Sequence, residues 1–172
     1  MDPVRYGHIT NGDVYLDELL CVGRFKEFGT PEIEYETVKH SALGGVGVWE
    51  RAGRQLKEMK GKGNTMFIDA DVQGKFHDPT KDIALLIDGY CDVFDGQGLA
   101  LEKGYRTQFF VTISVFKVGG KPWKFGNDWE GEFEYTASRF VEKNSKIAVP
   151  LREIDIPNQI NRVKGRDVWP SY

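Results

Sequence analysis

Two cysteines and three histidines in 172 residues leave little material for disulfide or metal chemistry. Cys21 and Cys91 lie in apolar or mixed runs, and the expectation is two buried thiols in a reducing compartment. His8, His40 and His77 are far apart, with no His-x-x-x-His or Cys-x-x-Cys beside them, so a zinc site is unsupported. No apolar run approaches the length that spans a bilayer. The N-terminus, MDPVRYGHITNGDVYLDE, lacks the apolar stretch of a secretory signal, and the protein is expected to stay in the cytoplasm where it is made. Gly44-Gly45-Val46-Gly47 is not followed by Gly-Lys-Ser/Thr and fails the G-x-G-x-x-G spacing, which removes the common phosphate-binding loops. No Ser or Cys has the glycine-framed elbow of a hydrolase nucleophile. Two carboxylate pairs, Asp69 with Asp71 and Glu132 with Glu134, each point to one face of an expected strand. Calcium takes roughly six to eight oxygens, and glycoside hydrolysis needs carboxylates across a cleft; neither is visible.

What the chain does have is aromatic residues (13 %), glycine (20 residues) and strand-like alternation. These favour β-structure joined by turns. Glu32 to Lys39 alternates, with Ile33, Tyr35 and Thr37 on one face and Glu32, Glu34 and Glu36 on the other, as a half-buried strand does. Met66 to Lys75 reads as a strand through Phe67, Ile68, Ala70 and Val72. Arg106 to Val118 is the longest strand, partly apolar on both faces, so both are expected to be covered. Trp129 to Glu142 is a second strong strand. Lys81 to Gly89, preceded by Asp78, Pro79 and Thr80 and closed by a glycine, predicts a short helix. The sum is a mainly antiparallel β-sandwich or barrel with one short α-helix, expected as a single domain over 1–172. Residues 1–10 read as an N-terminal arm and 158–172 as a polar C-terminal tail.

The tract from His40 to Thr65, HSALGGVGVWERAGRQLKEMKGKGNT, stands apart. It packs no core at a clean period, and a loop of this length is functional or disordered. Within it, residues 51–64 hold Arg51, Arg54, Lys57, Lys60 and Lys62 against one acid, Glu58, a net +4 on a chain of −3, so the remainder carries −7. A basic arm on an acidic body predicts a protein that binds copies of itself, through a long loop over 41–64 that the fold itself does not need. Nucleic-acid binding by this run is disfavoured, because its cations are not interleaved with aromatics. The four tryptophans, Trp49, Trp123, Trp129 and Trp169, are expected to serve core and interface packing.

An ordered set of segments carries a further signal. It begins at the strand-turn opening Ile9 to Asp17. It continues through Thr30-Pro31-Glu32-Ile33-Glu34-Tyr35-Glu36-Thr37 into Ala42-Leu43-Gly44-Gly45, then the segment Asp82 to Ile87. It ends with Asp128-Trp129-Glu130-Gly131-Glu132-Phe133-Glu134-Tyr135, Ile154-Asp155-Ile156-Pro157-Asn158 and Ile160-Asn161-Arg162-Val163-Lys164-Gly165-Arg166-Asp167. In these segments the chain resembles the major tail tube protein of contractile-tailed phages and of R-type tailocins.

The resemblance implies a structural protein of the phage tail, without enzyme activity, cofactor or metal. It implies antiparallel sheets with a flanking helix and a long projecting loop. It implies homo-oligomeric, hexameric rings that join their inner sheets and stack into a hollow tube, through which DNA passes without specific binding. The implied partners are the tail sheath protein and the baseplate and tail terminator proteins, with no membrane insertion. The implied location is the virion, assembled in the bacterial host cytoplasm. Leu43, Trp49, Arg51, Arg54, Lys57, Lys60 and Lys62 are then the expected inter-subunit contact. Glu132 and Glu134, opposite the apolar face of Phe133, Tyr135 and Ala137, are the expected lumen residues of a net negative channel. Alternatives are the tube of a related contractile injection or type VI secretion machine and, from other classes, a carbohydrate-binding β-sandwich or a small β-fold hydrolase using Glu132 or Glu134.

Overall fold

Runs of β-branched and aromatic residues become strands, and the glycine-rich joints become turns. The computed structural model describes residues 5–66 and 69–170. In chain order the elements are β1 (Tyr6–Leu16), β2 (Leu19–Leu20), β3 (Phe25–Phe28), β4 (Tyr35–His40), β5 (Trp49–Leu56) and β6 (Met59–Thr65). Then follow α1 (Ala70–Phe76), β7 (Ile83–Asp95), β8 (Gly98–Leu99), β9 (Tyr105–Gly120), β10 (Gly131–Asn144), β11 (Arg152–Asp155), β12 (Ile160–Val163) and β13 (Arg166–Asp167). Eleven of these strands form one antiparallel sheet, ordered β13-β12-β11-β10-β9-β7-β1-β2, with β6, β3 and β8 branching from it; β4 and β5 pair only with each other.

Strand β10 organises this sheet. One edge pairs with β9 from Gly131↔Gly120 to Asn144↔Thr107. The other edge is shared: Gly131 to Ala137 meets β6, and Arg139 to Glu142 meets β11. The changeover falls at Ser138, where the register against β9 shifts. A bulge bends and twists its strand, so the two halves of one edge aim at different partners. The Ser138 carbonyl accepts the Ile156 N–H at 3.0 Å, which satisfies a half-buried group that the ladder would leave free.

The inner face of the sheet holds the core, with Leu85, Val111, Ile113, Phe133 and Tyr135 among its buried members, and Val72 and Phe76 of α1 packed on them. The sequence of β6, Met-Lys-Gly-Lys-Gly-Asn-Thr, looks poor for a strand because glycine has no side chain to pack. Its glycines are there for the rings opposite. Gly61 pairs with Tyr135 and Gly63 with Phe133. A Cβ on Gly61 would sit 2.3 Å from the Tyr135 ring, and one on Gly63 2.5 Å from that of Phe133. The rings therefore lie across bare backbone. Phe133 also meets Phe28 and Phe76 at centroid distances of 5.2 and 4.5 Å, and the Tyr135 hydroxyl donates to the Gly29 carbonyl at 2.5 Å.

The structure corrects several expectations. The segment expected as a helix, Lys81 to Gly89, lies in β7 apart from its first two residues: Ile83, Leu85 and Ile87 face Ile113, Val111 and Phe109 across the ladder. Cross-strand partners decide a short apolar run whose local signals favour a helix. The helix instead occupies Ala70–Phe76, inside the stretch expected as a strand. Asp69 caps it, accepting from Asp71 N at 2.9 Å and Val72 N at 3.2 Å, and Val72 and Phe76, four apart, both point inward. Phe67 and Ile68 of that expected strand, like residues 1–4 and 171–172 of the arm and tail, lie outside the described residues. From Tyr6 the expected arm is β1, paired along β7. The expected tail contributes β12 and β13 to the sheet edge. The expected loop over 41–64 is a loop only over 41–48, 57 and 58; the rest is β5 and β6. Cys21 and Cys91 are buried thiols.

Two outcomes follow from the packing around Tyr135. Gly61→Ala should destabilise the monomer by about 1–3 kcal/mol through overpacking. Gly74→Ala, on an α1 position whose Cβ would meet nothing within 4 Å, should stabilise it by about 0.5–1 kcal/mol. Urea unfolding of both variants checks the opposite signs. Burial also pushes the Tyr135 phenol well above its ordinary value. A folded pKa raised above the unfolded one contributes stability that is whole below pH ~10 and is lost as pH rises further. Stability measured from pH 8 to 11 should therefore fall more steeply above pH ~10 in the wild type than in Tyr135→Phe.

Candidate assembly surface

The hairpin β4–β5 leaves the sheet and has no core of its own. Its ladder runs from Tyr35↔Leu56 at the base to His40↔Trp49 below the tip, with extra residues on β5 between Thr37 and Tyr35. Isolated two-stranded hairpins are marginal in water. Val38 and Trp49, on the strands, are more than half exposed, and Leu43 and Val46, in the tip, are fully exposed. The tip, Ser41 to Val48, carries no charge and three glycines. Trp49 packs edge-on to His40 at 6.5 Å, and the Arg51 guanidinium lies 5.4 Å from the Trp49 ring centre.

One polar cluster ties the hairpin base to the body. The Tyr35 hydroxyl accepts from the Arg152 guanidinium, and from Asn161 Nδ2 at 3.4 Å. The same guanidinium lies 5.4 Å from the Tyr35 ring centre. Arg152 also stands opposite Glu142 on β10; burial pushes the Glu142 carboxyl up and Arg152 pulls it back. Lys57 closes the hairpin where it leaves the base. Its N–H donates to the Glu34 carbonyl at 2.8 Å and its ammonium meets the Glu34 carboxylate at 2.6 Å. That hydrogen bond holds the Lys57 ammonium above its usual range.

The residues expected to form the inter-subunit contact do not fall on one arm. Leu43, Trp49, Arg51 and Arg54 belong to the hairpin. Lys57 is at its exit, and Lys60 and Lys62 are on β6 in the main sheet. Between Tyr35 and Leu56 the hairpin carries Lys39, Arg51 and Arg54 against Glu36 and Glu50, so the strongly basic arm dissolves into a weakly charged hairpin with an apolar tip. The tract is also not dispensable to the fold: Met59 is fully buried in the core, and Gly61 and Gly63 seat the Phe133 and Tyr135 rings. The signal missed at sequence level is the alternation Met59, Gly61, Gly63, Thr65, which is a buried face made half of glycine.

Glu132 and Glu134 do point away from Phe133 and Tyr135, on the sheet's outer face. They are not a purely negative strip. Glu134 stands between Lys62 on β6 and Lys117 on β9 and forms an ion pair with Lys117, and Lys60 lies opposite Thr136 in the same row. Among the described residues no group of three or more His, Cys, Asp or Glu is placed to hold a metal ion. No described helix is long and apolar enough to cross a membrane. Trp129 covers Gly120 and Gly131, whereas Trp123 and Phe125 stand exposed in the β9–β10 connection.

Comparison with known proteins places this arrangement. The model of the phage tail tube protein FII family matches residues 7–172. No curated protein matches in sequence. Among solved structures, the fold is similar to a chain of the sheath–tube complex of the extracellular contractile injection system PVC in its extended state. That likeness has a TM-score of 0.55 at 10 % identity over 77 % of this chain and 88 % of that one. A chain of the PVC sheath/tube terminator gives 0.52 at 9 % identity over 78 % and 94 %. One of the anti-feeding prophage baseplate gives 0.51 at 9 % over 77 % and 90 %. Identities this low speak for the fold.

Removing the Tyr35 hydroxyl should loosen the hairpin and little else. Tyr35→Phe leaves the buried Asn161 amide and Arg152 without their shared acceptor, a cost of about 1–3 kcal/mol. In hydrogen exchange the β4–β5 amides should lose protection while those of β9 and β10 keep theirs.

Proposed function

The chain belongs to the phage tail tube protein FII family, and from that premise we propose that copies of it close into hexameric rings that stack into the hollow inner tube of a contractile tail. The observation that carries this reading is the family match along 7–172. Two features of the fold support it. The edge of β1 over Tyr6 to Asp13 that faces away from β7 has no strand partner among the described residues, and such edges template pairing with another chain. The hairpin presents an apolar tip with no intramolecular cover, as a contact between copies requires. Leu43, Trp49, Arg51 and Arg54 are its contact residues, with Lys57, Lys60 and Lys62 on the adjoining sheet surface.

DNA moves through this tube without specific binding. Glu132 and Glu134 line its wall, and their lysine neighbours make that wall a ladder of alternating charge. The overall negative charge of the chain, −3, disfavours adhesion of phosphate. The protein acts as a structural part and not as an enzyme. Its partners are the sheath around the tube, the terminator at one end and the baseplate at the other, in line with the assemblies in which the similar folds were solved. It is assembled in the bacterial host cytoplasm and ends in the virion. A second reading, the tube of a related contractile injection machine, is favoured by the PVC and anti-feeding prophage folds.

Electron microscopy of the purified protein at high concentration should show rings and tubes; monomers alone at every concentration overturn the reading. Replacing Ala42 to Gly47 by Asn-Gly shortens the hairpin without touching the sheet. Sedimentation of that variant should show folded subunits that do not form tubes.

A further inference from the structure

The connection between β9 and β10 holds the two most exposed Phe, Trp or Tyr rings among the described residues: Trp123 is 80 % exposed and Phe125 fully so. Between them stands Lys124, the one charge of the tip Pro122-Trp123-Lys124-Phe125-Gly126-Asn127. The base of this loop is fastened. The Lys121 N–H donates to the Glu130 carbonyl at 2.9 Å. The Glu130 carboxylate takes the ammonium of Lys121 and, at 2.6 Å, that of Lys26 on β3, and these two cations hold its carboxyl down to about 2. Trp129 packs where a Cβ on Gly120 or Gly131 would stand. Just beyond the rings Gly126 takes φ +80°, and the Asn127 N–H returns to the Lys124 carbonyl at 3.3 Å, which turns the chain. Rings shown on a fixed base lose little freedom on binding, and buried aromatic anchors dominate interfaces.

Gly131 shares the inner face of β10 with Phe133 and Tyr135, because alternate residues of a strand face one way. Trp129, lying over Gly131 and Gly120, brings the base of the loop to that face. Glu132 and Glu134 are on the other face, the one read as the wall of the channel. The loop base therefore sits behind that wall, away from DNA. It is also remote from the surfaces through which copies meet. The free edge of β1 ends at Asp13, in line with Asp88 and Gln108. From Gln108 to Gly120 is ~40 Å along β9. The hairpin base enters β6 at Met59, opposite Ala137, and from Ala137 to Gly131 is ~20 Å along β10.

We propose that the β9–β10 loop is the anchor by which the tube holds the sheath around it, Trp123 and Phe125 entering an apolar pocket of the sheath and Lys124 meeting a carboxylate at that pocket's edge. This rests on the tail tube reading, which supplies a sheath but no contact for it. Two uncovered rings gain most from a partner that takes them out of water. The lysine between them states the rest of that partner's chemistry, because a cation enters an interface at high cost unless an acid meets it there.

The test replaces Phe125 by the photo-reactive analogue p-benzoylphenylalanine in assembled particles, which are purified and irradiated. Mass spectrometry should identify the linked partner as the sheath protein. A link to a second copy of this chain, or to DNA, overturns the anchor assignment and leaves the tube reading intact. Trp123→Ser with Phe125→Ser supplies the quantity and decides the matter if no link forms. Both side chains are exposed, so these subunits should fold and form tubes at the wild-type concentration. The sheath-protein concentration needed to coat the tubes should rise by at least about tenfold. Lys124→Glu should raise it as well, and by less at high salt, while Lys124→Arg keeps it. Unchanged coating of the double-serine tubes overturns the proposal. So does folded double-serine protein that forms no tubes, which makes the loop a contact between copies. Wild-type protein that never forms tubes overturns the tube reading, and the anchor with it.

Discussion

The fold depends on two aromatic rings lying across two glycines. Phe133 and Tyr135 cannot point inward from β10 unless the strand beside them has no side chains at the facing positions, and Gly63 and Gly61 meet that demand. Each ring removes from water an area that stabilises by roughly 1.5–3 kcal/mol. The Tyr135 hydroxyl then draws the chain around Gly29 onto β6. From that contact follow the position of β3, its Phe25 and Phe28 against Phe133, and the seating of α1 through Phe76. Glycine is a weak strand former by itself; here the neighbour supplies the packing that glycine lacks.

A second constraint is the bulge at Ser138. Without it β10 would have a single partner on that edge. With it, β6 and β11 share the edge, and the gap where they diverge is where the hairpin leaves the sheet and an apolar cleft opens. The Tyr35, Arg152 and Asn161 cluster spans this junction. The hairpin is thus firmly held at its base and unsupported at its tip. Such an element gains little from its own chain and much from a neighbour.

Charge follows the same division. The cations of 51–64 look like one basic arm when read in a line. Folded, two ride on the hairpin and the rest border β6, where Lys62 and Lys117 flank Glu134. Exposed pairs of this kind add little stability, but they set the sign of the potential over this outer face of the sheet, and here the sign alternates.

The sequence by itself determined the class of the fold, because alternation in the long strands Arg106 to Val118 and Trp129 to Glu142 is a local property of the chain. It also determined the absence of any recognisable metal or nucleotide motif, and the family, through an ordered series of short segments. Only the tertiary structure decided whether Ile83 to Ile87 is helix or strand, since a short apolar run takes its conformation from the partner it meets, here β9. It alone split the glycine-rich tract into a free tip and a core strand, because the worth of Gly61 and Gly63 lies in rings about seventy residues away. And it alone brought Asn161 and Trp169 beside Leu56, joining residues about a hundred positions apart into one cleft, a proximity that no spacing along the chain encodes.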